Sequence, residues 1–122
     1  MKCYPGLMLR ILGADYPAMG PGKARLVELI DQTGSISAAA REMGMSYRRA
    51  WQLVDALNGS FRQAVVVTAV GGKRGGGAKV SDFGRKLVES FREMESKATT
   101  AIAPDVRRFS AHLRRRPGGK PR

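Results

Sequence analysis

Tyr47, Arg48, Arg49 and Gln52 bring a phenol, two guanidinium groups and an amide into six consecutive residues. An arginine can donate two hydrogen bonds to guanine O6 and N7, and a glutamine can pair in the same way with adenine N6 and N7. Ser46, just before them, is a residue type that caps helices. Gly44 is of the type that ends one in the left-handed conformation. Ala50, Val54 and Leu57 recur at helical spacing and form the face to be buried, so the four polar side chains project the other way. Ser35, Ser37 and Ser46 fall at helix N-termini, where backbone N–H groups favour phosphate. Two arginines alone could equally form a solvated face. Their coincidence with a capped helix start, a glycine turn just upstream and a basic glycine-rich loop downstream favours contact with double-stranded DNA.

The flanking elements supply the frame. Gly6 to Gly13 is short, apolar and glycine-bounded, which predicts a strand. Ala14 to Gly20, with Pro17, reads as a loop. Pro21 suits the first turn of a helix whose apolar face is Leu26, Val27, Leu29 and Ile30 and which ends near Gly34. Ser35 or Ser37 caps the next helix, and Gly44 ends it. The helix after Ser46 is expected to run to about Asn58, with Asn58-Gly59 as its stop. Ala64 to Val70 is β-branched and reads as a strand. It is joined through Gly71-Gly72-Lys73-Arg74-Gly75-Gly76-Gly77 to a return strand, Ala78-Lys79-Val80. Lys73, Arg74 and Lys79 make this hairpin basic. Its loop fails the nucleotide-binding P-loop pattern, because Arg74 follows the lysine and Val67 stands where a glycine is needed.

Ser81 or Asp82 caps a last helix with an apolar stripe at Phe83, Leu87, Phe91, Met94, Ala98 and Ile102. Phe83 and Leu87 are expected to pack on the body. Phe91, Met94, Ala98 and Ile102 are expected to reach beyond it and meet a second copy, since a large exposed apolar stripe is unfavourable in water. Pro104 is expected to end the helix. The order of elements is mainly α with a β-hairpin wing: a winged helix-turn-helix plus a long C-terminal dimerisation helix. Residues 1–103 form the DNA-binding and dimerisation domain, and 104–122 a basic tail that is expected to be disordered. The other reading of the tail is a short docked helix through Val106, Phe109 and Leu113.

The charge supports a polyanionic partner. The 122 residues contain 22 Lys and Arg against 10 Asp and Glu, a formal net charge of +12. Residues 1–103 alone hold 15 basic and 9 acidic residues, so the body is basic without its tail. No run of roughly 18 apolar residues is available to span a membrane, and no signal peptide is visible. Cys3 is the single cysteine, which excludes an internal disulfide or a multi-cysteine metal site and fits a reduced cytoplasmic, nucleoid-associated setting. No cofactor, metal or catalytic set is expected. His112 has no second ligand or catalytic partner nearby. Trp51 either seals its helix against the body or touches DNA directly.

Several of these segments together are distinctive. Gly34-Ser35-Ile36-Ser37-Ala38-Ala39-Ala40, then Gly44-Met45-Ser46-Tyr47-Arg48-Arg49-Ala50-Trp51, then Asn58, is similar to the DNA-binding domain of the ModE family of molybdate-responsive regulators. The hairpin Gly71-Gly72-Lys73 with Gly75-Gly76-Gly77-Ala78, followed by Val80-Ser81-Asp82-Phe83-Gly84, also resembles that family. The resemblance spans about residues 7–103. Its helix-turn-helix half would also suit LysR-type regulators. It implies DNA binding and dimerisation, and the leading expectation is a homodimeric, sequence-specific transcriptional regulator. The molybdate-binding modules usual in the family are expected to be absent, so any effector response is expected to need a separate partner or a further site not visible in the sequence. A nucleoid-type architectural protein with little sequence preference is the alternative, supported by the basic tail.

Overall fold

A computed structural model describes residues 6–14, 17–69 and 77–114. Eight elements follow in order: β1 (Ile11–Leu12), β2 (Pro17–Met19), α1 (Pro21–Thr33), α2 (Ile36–Met43), α3 (Tyr47–Ser60), β3 (Val66–Ala69), β4 (Gly77–Val80) and α4 (Asp82–Ser110). This is a winged helix-turn-helix: three helices around one core, an antiparallel hairpin, and a long C-terminal helix. Among the described residues, no helix is long and apolar enough to cross a membrane.

The three helices are turned by two glycines. Gly34 ends α1 with φ 71°, and Gly44 ends α2 with φ 68°. Both conformations are costly for any residue with a Cβ. Ser35, rather than Ser37, caps α2: its hydroxyl accepts from the Ala38 N–H at 3.1 Å. Ser46 caps α3 by accepting from the Arg49 N–H at 3.0 Å. Leu26, Val27, Ile30, Val54 and Leu57 are fully buried where the helices meet.

The first strand is shorter than the sequence predicts, and the segment read as a loop is part of a ribbon. β1 comprises two residues and pairs antiparallel with β2, Ile11 opposite Met19 and Leu12 opposite Pro17. Pro17 fits at the start of an edge strand, where its missing N–H breaks no ladder bond. Met19 is buried in the core, and this holds the ribbon against the helices.

The third helix does not stop at Asn58-Gly59 as expected but continues to Ser60. The Asn58 amide serves another element. Its Oδ1 accepts from the N–H groups of Val65 (2.8 Å) and Val66 (3.1 Å), and its Nδ2 donates to the Val66 carbonyl (2.9 Å). One side chain therefore ties α3 to the root of the wing. In the hairpin, Val66 opposes Val80 and Val67 opposes Lys79. The period of two buries Val66, Ala78 and Val80 and turns Val67 and Lys79 outward. The Ala78 N–H donates to the Gly34 carbonyl at 3.0 Å, which joins the wing to the end of α1.

Ser81, rather than Asp82, caps α4 by accepting from the Gly84 N–H at 2.9 Å. Gly84 lets this helix approach the wing: a Cβ there would lie 2.5 Å from the Val65 carbonyl oxygen. Two ion-pair sets then fasten α4 to α1. Arg92 donates to both carboxylate oxygens of Glu28 (2.9 and 3.0 Å) and also to Glu95, while Arg85 reaches Asp31 and Asp82.

Two expectations about α4 are corrected. Phe91 does not lie beyond the body. It is 1% exposed within the single chain and belongs to the same core as Leu26 and Val88. The next residue, Arg92, is ion-paired with Glu28 of α1, so this turn of α4 still lies against the body and the Phe91 side chain is already covered. Nor does Pro104 end the helix, which runs on to Ser110. A proline removes one N–H and disturbs the preceding turn, but Thr100 and Pro104 are exposed, so water can satisfy the orphaned carbonyl. The Arg108–Asp105 ion pair lies in the next turn, and Val106 is half-buried in a groove shared with Gly6, Phe109 and Leu113. Residues 104–110 are therefore helical rather than part of a disordered tail. Residues 111–113 continue as a turn closed by backbone hydrogen bonds to Arg107, Phe109 and Ser110; residues 115–122 of the expected tail lie outside the described residues, as does Cys3.

Candidate nucleic-acid interface

The Gly44 turn and the Ser46 cap fix the start of α3, and the burial of Ala50, Val54 and Leu57 fixes its rotation. Tyr47, Arg48, Arg49 and Gln52 are consequently all exposed on the opposite face. Among the described residues no carboxylate pairs with Arg48 or Arg49, although six other ion pairs form elsewhere. Both guanidiniums present their donors to solvent.

Trp51 is half-buried and packs against the core. Its indole N–H donates to the Tyr47 hydroxyl, and the two rings meet edge to face, 6.4 Å apart at 79°. The tryptophan thus seals the helix against the body and braces Tyr47, whose ring remains 53% exposed. Two side chains with few rotatable bonds and a shared hydrogen bond make a stiff edge to the surface.

The serines divide by task. Ser35 and Ser46 spend an acceptor on their caps, and Ser37 shares a hydrogen bond with Ser35 at 3.1 Å. Their hydroxyl protons and the adjoining helix N-termini are the groups that could meet a phosphate. Lys79 points outward from β4. Lys73 and Arg74, expected at the wing tip, lie outside the described residues. Met94 and Ile102 are exposed on α4 and Ala98 is half-buried, so these three of the four residues expected at a dimer seam are accessible; Phe91 is not.

The structure adds a residue that sequence reasoning passed over. Lys23, in the first turn of α1, donates to the Pro17 carbonyl at 2.7 Å. Burial pulls its ammonium below the ordinary lysine range, and repulsion from Arg49 lowers it further. A cation in the first turn of a helix, where the dipole opposes it, was the available signal.

No family model matches the chain. It is similar to the molybdenum-pterin-binding protein MopB of Rhodobacter capsulatus, with 43% identity over 95 residues, 78% of this chain and 34% of that protein. It is also similar to the molybdenum transport protein ModE of Azotobacter vinelandii, with 35% identity over 85 residues, 70% of this chain and 32% of that protein. A third relative is the DNA-binding transcriptional dual regulator ModE of Escherichia coli (strain K12), with 32% identity over 88 residues, 70% of this chain and 34% of that protein. The chain spans about a third of the length of these curated relatives. The resemblance to the ModE family carried by the motifs thus extends to alignments over most of the chain.

Proposed function

From this homology to ModE-type regulators and a winged helix-turn-helix fold, we propose that the chain is a sequence-specific double-stranded DNA-binding transcriptional regulator that acts as a homodimer. The carrying observation is the start of α3, where Tyr47, Arg48, Arg49 and Gln52 stand exposed on a capped helix with no carboxylate partner for either arginine among the described residues. Such a helix enters the major groove with its N-terminal residues against base edges. Lys73, Arg74 and Lys79 of the wing and the serines at the helix starts then contact the backbone. The molybdenum in the relatives' names is said of proteins about three times longer, and the reading for this chain covers DNA recognition alone.

The second copy docks on the outer part of α4. Met94, Ala98 and Ile102 continue into Phe109 and Leu113, which are 71% and 51% exposed, so the apolar stripe runs past Pro104. Pairing two such helices about a two-fold axis covers the stripe and presents two α3 helices to successive major grooves.

Alanine replacement of Arg48 and of Arg49, measured on a selected duplex and on a scrambled one, tests the reading. At least one variant is expected to lose about 1–3 kcal/mol on the selected duplex and to relax preference at one base position. Equal losses on both duplexes would assign both arginines to phosphate and favour an architectural protein with little sequence preference.

A further inference from the structure

The three-helix body carries cations at a second place, on the ribbon side of α3. Arg10 precedes β1, and its side chain crosses Gly20, the N-cap residue of α1: a Cβ on Gly20 would lie 3.3 Å from Arg10 Cγ. Lys23 stands in the first turn of that helix, held by the Pro17 carbonyl of β2. Pro17–Met19 also packs on α3, and Lys23 lies near enough to Arg49 of that helix for the two cations to repel each other. Arg10 and Arg49 are exposed and make no ion pair among the described residues. Arg10 and Lys23 thus both stand at the positive end of α1, and Lys23 also faces the charge of Arg49; cations so placed cost free energy in the isolated chain, and an anion relieves it.

We propose that Arg10 and Lys23, together with Arg49, form a phosphate-binding edge that extends the DNA footprint from α3 to the N-terminal ribbon, each of the first two neutralising a backbone phosphate. This rests on the reading of α3 as the recognition helix. It assigns the β1–β2 ribbon the task of setting the height of the first turn of α1 above the DNA strand that runs past Arg49. Phosphate contacts of this kind fix register and orientation and carry no base preference.

The test is a salt titration of binding to two duplexes of about 30 bp, one selected by the wild-type chain from a random library and one scrambled. Lys23→Met keeps the aliphatic stem and removes the charge; Arg10→Ala removes an exposed side chain. Each is expected to lower the slope of log K against log salt by about 0.9 on both duplexes. The affinity deficit then shrinks about 3.5-fold between roughly 50 and 200 mM salt. Lys23→Arg is expected to restore the wild-type slope. Thermal melting is followed in parallel, and if Lys23→Met melts early, Arg10→Ala decides. Unchanged slopes with wild-type binding intact overturn the phosphate edge and leave the α3 reading standing. A loss confined to the selected duplex overturns it in favour of a base contact. A wild-type chain that binds neither duplex overturns both.

Discussion

Replacing Asn58 with Ala removes a side chain that hydrogen-bonds α3 to the root of the wing. Three hydrogen bonds go at once: two accepted from Val65 N–H and Val66 N–H, and one donated to the Val66 carbonyl. Val65 and Val66 are buried, so their backbone groups cannot all be re-satisfied by water without opening the hairpin. A made hydrogen bond contributes about 1 kcal/mol net, and an orphaned buried group costs about 1–3 kcal/mol. Asn58 itself is half-buried and sits near the edge, which lets some water in, so a total of about 3 kcal/mol is expected. That is a large share of the roughly 5–15 kcal/mol that holds a domain of this size together. Urea denaturation followed by circular dichroism should show the midpoint falling with the slope unchanged. Asn58→Asp keeps both accepted bonds and loses the donated one, so its loss should be smaller. An Asn58→Ala loss below about 1 kcal/mol would refute the idea that this amide anchors the wing.

Gly84→Ala should cost about 1–3 kcal/mol or more, because the new Cβ meets the Val65 carbonyl oxygen at 2.5 Å; Gly22→Ala, with open space around it in α1, should instead stabilise by about 0.5–1 kcal/mol, and thermal melting reads both. The Arg92 hydrogen bond holds the Glu28 carboxyl below its ordinary range. The stability this contributes is fully present above the unfolded carboxyl pKa near pH 4.3 and is lost as pH falls through the lower folded value. Glu28→Gln should therefore flatten the acid limb of a stability profile, and an unchanged limb would show that the pair contributes nothing there. Phe91→Ala should cost about 3–5 kcal/mol by opening a core cavity, whereas Met94→Asp with Ile102→Asp should leave the unfolding midpoint of the monomer nearly unchanged and turn a dimer into a monomer in sedimentation.

The helix starts and turns were legible because local chemistry dictates them. Gly34, Gly44, Ser46 and the Ala50/Val54/Leu57 face act within one or two turns of chain, and the side chains displayed on α3 follow from them. The errors came where distant segments decide. Asn58 looked like a stop signal because its amide partners, Val65 and Val66, are set by the hairpin rather than by the helix. Pro17 looked like a loop residue until β1 was placed beside it. Phe91 looked like seam because periodicity gives the face a residue occupies and not how far the body reaches along the helix. Pro104 looked like an end because a propensity was weighed without the groove around Val106. Lys23 joins Arg49 only through tertiary packing, and neither residue's neighbours in sequence announce it.

Selection of bound duplexes from a random library, followed by sequencing, tests the central claim most directly. A regulator with two α3 helices related by a two-fold axis is expected to recover a compact palindromic motif. Its half-sites should be centred about 10 bp or a multiple apart. The motif is expected to lose information at one position per half-site when the base-reading arginine, Arg48 or Arg49, becomes alanine. Recovery of duplexes with no shared motif, at an affinity set by salt alone, would contradict sequence-specific recognition by this helix.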